Sequence, residues 1–465
     1  VTDFGGLSVA LSGLNAHRKR IDVIGDNIAN INTPGYHRQR VSLSPVDHVS
    51  SGLFAGWSKQ GGGVDASSVD RMRDRVLSGH ARVQAGVAAD RGTTADVLQQ
   101  MELIVGGLDP GGIHDQMNAM FNSFDDLAAA PEDPAMRQVV LQRAQGLAQA
   151  FNRTVANVDE LQDRMALEAA DSVSSINLLS EQIAVLDAEI LGSSNFGDDP
   201  NTLLDRRDTL VADMTTLADV DVVENPNGQV AISLDGHLLV SNGSASLVSL
   251  EPKPDLDLAT LGYDKFVVVN SSGRELNVKS GELAGQLNSL AQTIPDGKKA
   301  IDAVSAGLVD QVNAIHQGGA GLDGSTGLNL FETGPGLGEI QISADVVDQP
   351  EKVGAAVAGA GALDEANARA LAQLAETAGG PLSLFGQMVG TLAAKVVTAT
   401  GGAEAASAAA EQASNMAISA GGVSLDEELT DLITAQRAYE ASARFMTAID
   451  EMLQTLVSST GRVGR

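Results

Sequence analysis

Residues 7–36 read LSVALSGLNAHRKRIDVIGDNIANINTPGY, and their apolar side chains recur at a spacing of seven. Leu7, Leu14, Ile21 and Ile28 form one row, and Ala10, Ile24 and Ile31 follow three residues after members of it. Two rows at this spacing predict the seam of a coiled-coil helix. His17 interrupts the second row and reads as a tolerated neutral imidazole. The helix must stop before Pro34, which has no N–H and drives Thr33 into an extended conformation. Pro34 and Gly35 suit the centre of a type II turn, Asn32 suits the left-handed closure of a helix, and Tyr36 anchors the new chain direction.

A partner stripe lies at the other end of the chain, in GVSLDEELTDLITAQRAYEASARFMTAIDEMLQTLVSS, residues 422–459. Leu425, Leu429, Leu432, Ala443, Met446 and Leu453 make one ridge; Phe445, Ile449, Met452 and Leu456 make a second. Together they form a stripe broad enough to need two neighbours. Gln436 and Asp450 interrupt its narrow seam, which disfavours a plain two-stranded zipper. Ser424 with Glu427 three residues on predicts a capping box at the helix start.

The run SGLNAHRKRIDVIGDNIANINTPGYHRQRV, residues 12–41, resembles the N-terminal signature of bacterial flagellar rod, hook and hook-associated proteins, with Asn30, Asn32, Thr33, Pro34, Gly35 and Tyr36 as its turn. LDEEL and QRAYEASARFM near the C-terminus, and LLDRRD at residues 203–208, resemble the hook-associated members that sit at the hook-filament junction. A helix ending VNAIH before a Gly-rich loop agrees with that branch. Around residue 365 the branch often carries GDNxNA, whereas this chain has ALDEANARA. The resemblance implies a structural subunit that self-assembles on the distal hook and seats flagellin, and an extracellular place in the flagellum. It also implies secretion by the flagellum's own type III export apparatus on an uncleaved signal. The implied partners are other copies of the chain, the hook protein, a second junction protein, flagellin, the export apparatus and an export chaperone. The competing member is the hook or distal-rod protein, which shares the first motif; LLDRRD, a long central helix and LDEEL argue against it.

Composition narrows the alternatives. The chain has 465 residues, 43% of them hydrophobic but only 3% aromatic, so its cores rely on aliphatic and small side chains. No cysteine is present, which excludes disulfides and thiolate metal sites. The net charge of -30 repels nucleic acid and anionic lipid. No run approaches bilayer-spanning length, so membrane insertion is not expected. Walker A, HExxH and GxSxG motifs are missing and the seven histidines are scattered, so no catalytic residue, metal ligand or cofactor is assigned. A peptidoglycan-active enzyme and an exported adhesin remain as remote alternatives.

Between the two ends the pattern predicts a mainly α chain with an inserted β domain, elongated and multidomain, its terminal helices paired as a coiled coil and its body a helical bundle. Residues 37–70 read as a connector without secure elements. Helices follow from Asp70, from Ile113, and for some fifty residues from Ala135 to Leu191, roughly 80 Å of helix at 1.5 Å per residue. The adjacent opposite charges Asp205, Arg206, Arg207 and Asp208 read as a salt-bridged helix face. Strand-like alternation with Asn227-Gly228 and Asp235-Gly236 turns marks residues 219–279 as a β insertion, expected to project outward. Ala- and Gly-rich helices occupy residues 354–422 in three stretches. The domains expected are therefore 1–36 plus 423–465, 37–218 plus 280–422, and 219–279.

Overall fold

The computed structural model describes residues 4–46, 62–106, 111–196 and 199–460. Helix α1 (Phe4–Ala29) leads through the Pro34-Gly35 turn into a hairpin of β1 (Gln39–Pro45) and β2 (Val64–Arg71). This hairpin corrects the reading of residues 37–70 as a bare connector; Trp57 and Gly61 lie outside the described residues. Only Val41 and Val69 of its side chains are well buried, against Val23 of α1. So little apolar alternation gave the hairpin a weak sequence signal.

Helix α2 (Arg75–Val105) begins after Asp74, whose carboxylate accepts hydrogen bonds from the Val76 and Leu77 amides. Helices α3 (Ile113–Ala129), α4 (Pro134–Phe196) and α5 (Asn201–Leu217) follow. α4 has 63 residues, about 95 Å at the standard rise, and is the spine of an elongated body. Along it Phe151, Val155, Val158, Leu161, Ile176, Ile183 and Ile190 are almost wholly buried.

The β region comprises a sheet of β3 (Val220–Glu224), β4 (Val230–Leu234), β5 (His237–Ser241) and β6 (Ser244–Ala245), and a sheet of β7 (Val248–Lys253), β8 (Lys265–Asn270) and β9 (Glu275–Leu276), with the short α6 (Leu256–Ala259) between β7 and β8. All its pairings are antiparallel, and Gly228 and Gly236 turn with positive φ as the Asn-Gly and Asp-Gly signals require. The insertion does not project. Its buried Ile232, Leu234, Leu239, Val240 and Val268 belong to the same core as α4. Three polar groups of α4 pin it there: Asn177 exchanges two hydrogen bonds with the Val248 backbone, Asp187 accepts from the Val230 amide, and Asp159 accepts from Tyr263 Oη and Lys298 Nζ.

The chain returns through α7 (Glu282–Asn288), a π-turn at Ser289–Thr293, and α8 (Ile294–His316). Small strands β10 (Gly319–Ala320), β11 (Phe331–Thr333), β12 (Ile340–Ile342) and β13 (Ala356–Val357) precede α9 (Ala366–Gln373). His316, buried at the end of α8, faces the Leu328 carbonyl with Nδ1 and accepts the Gly354 amide at Nε2. Asn313 holds both Leu330 and Phe331, and Asn367 donates to the Gly354 carbonyl. These side chains hold the Gly-rich loop region in place.

α10 (Pro381–Gly421) is one helix of 41 residues where the sequence suggested separate stretches, because Gly401-Gly402 run through it without a break. It lies antiparallel along α2, with Gln99 bonded to Thr400 near its middle and Gly421 against the Met72 carbonyl at its end. A window of mean hydropathy 1.3 within 366–455 satisfies the length and composition needed to cross a membrane. That corrects the expectation that no run comes near such a length. α11 (Leu425–Thr460) completes the described chain by packing on α1.

Candidate functional site: the terminal helix pair and its joint

α1 and α11 run antiparallel, and the structure shifts their closest contact one residue from the predicted row. A Cβ built on Gly6 would lie 3.0 Å from Ile449 Cδ1, and one on Gly13 would lie 3.2 Å from Ser442 Oγ. Arg20 donates to Asp431 at 3.0 Å, and Asn27 donates to Glu428 at 3.0 Å. The row in contact is thus Gly6, Gly13, Arg20 and Asn27, meeting Ile449, Ser442, Asp431 and Glu428 in turn, with the buried Ala435 between Ser442 and Asp431. Small side chains let the two backbones approach, and the larger Leu7, Leu14, Ile21 and Ile28 fall on the flank, half-buried. The second row contributes Ala10 and Ile24, both buried, while Ile31 lies exposed beyond the helix end.

On α11, Ile449 is buried; Leu432, Ala443, Met446 and Leu453 are half-buried; Leu425 and Leu429 are exposed. The side chain of Leu456 lies outside the described residues. Leu11, Ile433, Phe445 and Met452 are each at least half exposed, so the pair carries unpartnered apolar surface on several sides.

At the end of the seam a polar knot closes the turn. Asn27 accepts from Tyr36 Oη and from the Gln39 amide, and donates to the Gln39 carbonyl and Glu428. Glu428 is only 1% exposed and lies 2.6 Å from Arg38 Nε. Arg38 also reaches Glu427 and Asp431. Burial first, and then the carboxylates of Asp26, Asp205 and Glu428, push the Tyr36 phenol up to about 12, so it stays a donor to Asn27. The Pro34-Gly35 turn matches expectation: Tyr36 N bonds to Thr33 O across it, and Gly35 has φ +77°, whereas Asn32 does not take the left-handed conformation expected of it and the positive φ falls on Gly35 instead. Asn30 accepts from Thr33 Oγ1 and donates to Asp26 O, whereas Asn32, Thr33 and Pro34 are exposed. A Cβ on Gly35 would meet Thr209 Oγ1 at 2.5 Å, so the turn touches α5 directly.

Below the knot, the charges of LLDRRD are salt-bridged as the sequence suggested, but mostly to partners outside their own helix. Asp205 accepts from His37 at 2.8 Å and from Arg71 at 2.7 Å; Asp208 pairs with Arg71 and Arg73, each at 3.0 Å; and Arg73 continues to Glu224. Arg207, 1% exposed, points the other way to Asp187 and the Gly228 carbonyl. Burial would raise Asp208, but Arg73, Arg71 and Arg207 overcome it and hold the carboxyl below its usual range. Burial raises Asp187 despite Arg207 and the Val230 amide. His37, Asp205 and Asp208 have ligand atoms within 4.8 Å of one another, as a metal site would. Arg71 already occupies the space between the two carboxylates as their cation, so the cluster works as an ion-pair joint between terminal layer, β hairpin and body.

The sequence reading missed Arg20, Asn27, Arg38, Glu428 and Asp431. Their signal was present: small and polar residues repeat at the same seven-residue spacing as the apolar ones.

A family model described as the flagellar hook-associated protein FlgK helical domain matches residues 98–331, half of the chain. The chain belongs to the flagellar hook-associated protein FlgK family. Models of the flagella basal body rod protein and of the flagellar basal body rod FlgEFG protein C-terminal region match residues 7–37 and 415–459, the two paired ends. Flagellar hook-associated protein 1 of Bacillus subtilis is 28% identical over 504 aligned residues, covering 99% of both chains. The protein of the same name from Salmonella typhimurium is 26% identical, covering 70% of this chain and 59% of its own. The flagellar hook junction protein FlgK from Burkholderia pseudomallei, a solved structure, is 24% identical with a TM-score of 0.48, covering 55% of this chain and 46% of that one. As a FlgK-family member, the chain is a structural component of the bacterial flagellum.

Proposed function

We propose that this FlgK-family chain joins the flagellar hook to the filament by stacking copies on the distal hook and presenting a seat for flagellin. The observation that supports this reading most is the terminal pair, a small-residue seam that leaves apolar side chains open on several sides. Leu11, Leu425, Leu429, Ile433, Phe445 and Met452 lie in water in a single chain. Each would contribute about 1.5–3 kcal/mol if fully buried between copies. In this reading residues 1–36 and 423–465 form an inner layer, with Leu7, Leu14, Ile21, Ile28, Leu432 and Met446 on its flanks against neighbouring copies. Residues 37–218 and 280–422 form the outer body, carrying 219–279 on α4.

The joint of His37, Arg71, Asp205 and Asp208 transmits load between the layers, and the mechanism is mechanical, without catalysis. Hook protein, a second junction protein and flagellin are the partners along the axis; the flagellar export apparatus, with a chaperone for the terminal segments, delivers the chain to the cell exterior. A deletion strain tests the assignment. Hooks without filaments, with flagellin shed into the medium, are expected; loss of the hooks themselves would move the chain to the hook or distal rod.

A further inference from the structure

The seam that pairs α1 with α11 repeats every seven residues, and a repeat can slip. Sliding one helix by a heptad, about 10.5 Å, would bring Gly13 opposite Ala435, Gly6 opposite Ser442 and Arg20 opposite Glu428. Small residues would still face small ones, and Arg20 would exchange its acid partner Asp431 for Glu428. The flanking Leu7, Leu14, Ile21 and Ile28 repeat at the same interval. Most of the seam therefore accepts either register.

Asn27 does not. Both its amide oxygen and its amide nitrogen are committed, to Tyr36 and Gln39 beside it and to Glu428 across the seam. In the slipped register Asn27 would lose its cross-seam acceptor, and Arg38 would lose the buried carboxylate 2.6 Å from its Nε. A buried asparagine in an otherwise permissive helical seam is a known way to set register at some cost in stability. We infer that Asn27 and Glu428, with Arg38, are the positioning residues that select one register of the terminal pair, tying it to the Pro34-Gly35 turn. The inference deepens the assembly reading and rests on it for its role, because a slip would shorten or lengthen the terminal layer by a heptad.

The chain has no cysteine, so engineered pairs report register without background. A Cβ built on Gly13 lies 3.8 Å from Ser442 Cβ, the separation of an ordinary disulfide. In purified full-length protein, oxidation should close G13C/S442C and leave G13C/A435C open. Adding Asn27→Leu should shift closure from the first pair to the second, and Glu428→Ala, which removes the same bond from the other helix, should do likewise. Glu428→Gln, which keeps an acceptor, should preserve the native pattern. The inference is overturned if both Asn27→Leu and Glu428→Ala still close only G13C/S442C, which would leave the backbone bond from Arg38 N to Gly421 O as the register setter. It is overturned equally if neither pair, or both pairs alike, close in the parent. Failure of the junction assignment would appear separately, as filaments persisting in the deletion strain.

Discussion

Two residues of the joint carry sharp consequences. Gly35 is held at φ +77°, where an L side chain is strained, and its Cα faces Thr209 Oγ1. Gly35→Ala should cost about 1–2 kcal/mol, measured as a lowered urea midpoint. Adding Thr209→Ala should recover only the part due to the clash. Arg207 is the second. Buried against Asp187 and the Gly228 carbonyl, it cannot be removed without leaving an uncompensated carboxylate. Arg207→Ala should destabilise by roughly 3–5 kcal/mol, and Arg207→Ala with Asp187→Ala by less than the sum of the two single changes, in the same denaturation series. Both residues sit in motifs legible in the sequence. The positive φ of Gly35 was legible in the type II turn, but its contact with Thr209 and the partners of Arg207 were not, because they depend on which distant element packs against them.

Among the elements, the end of α8 with its following loop and α5 with the β hairpin are governed by charge. His316 is buried, and burial lowers its imidazole below the usual value, with the Leu328 carbonyl opposing and Arg137 assisting. Arg137 is itself buried and donates to the Pro131 and Val353 carbonyls. The unfolded chain therefore takes up a proton at His316 more readily than the native one. Stability from this group is complete above about pH 6.5 and is lost as pH falls below it. The urea midpoint should decline between pH 7.5 and 5.5, and His316→Gln should flatten that slope. Asp208 acts in the same direction at lower pH, since its lowered carboxyl stabilises the joint until acid protonates it. The element boundaries were largely readable from periodicity and Gly-Pro punctuation. The β1–β2 hairpin was not, since it buries little of its own surface and borrows α1 as its floor.

For the whole molecule, the terminal pair should be the least stable part of a single chain. Its seam is small and polar, and its apolar flanks await neighbours. Hydrogen exchange over residues 7–31 and 425–455 should be faster than over α4 in the monomer, where the pair forms but opens more often than the body, and slower by orders of magnitude in isolated flagella. Protection as strong as that of α4 in the monomer would contradict this. The β insertion gives the contrasting case. Because it shares the core of α4, deletion of residues 219–279 should expose that core and lower the stability of the whole body, read as a broadened and lowered thermal transition.

The sequence by itself determined the family, through the Asn30–Tyr36 turn and the C-terminal LDEEL run. It also determined the mainly helical class, from heptad and 3.6-residue periodicities that depend only on local geometry. It located the β insertion through Asn227-Gly228 and Asp235-Gly236. Only the tertiary structure decided that the closest contact of the terminal seam falls on neither predicted apolar row but on the row one residue away from the first. Periodicity defines faces of a helix, but close approach between two helices selects the face of Gly6, Gly13 and Asn27, where small side chains and matched polar groups let the backbones meet. The same holds for LLDRRD, whose charges read as a face bridged along its own helix until His37, Arg71 and Asp187 arrive from elsewhere in the chain.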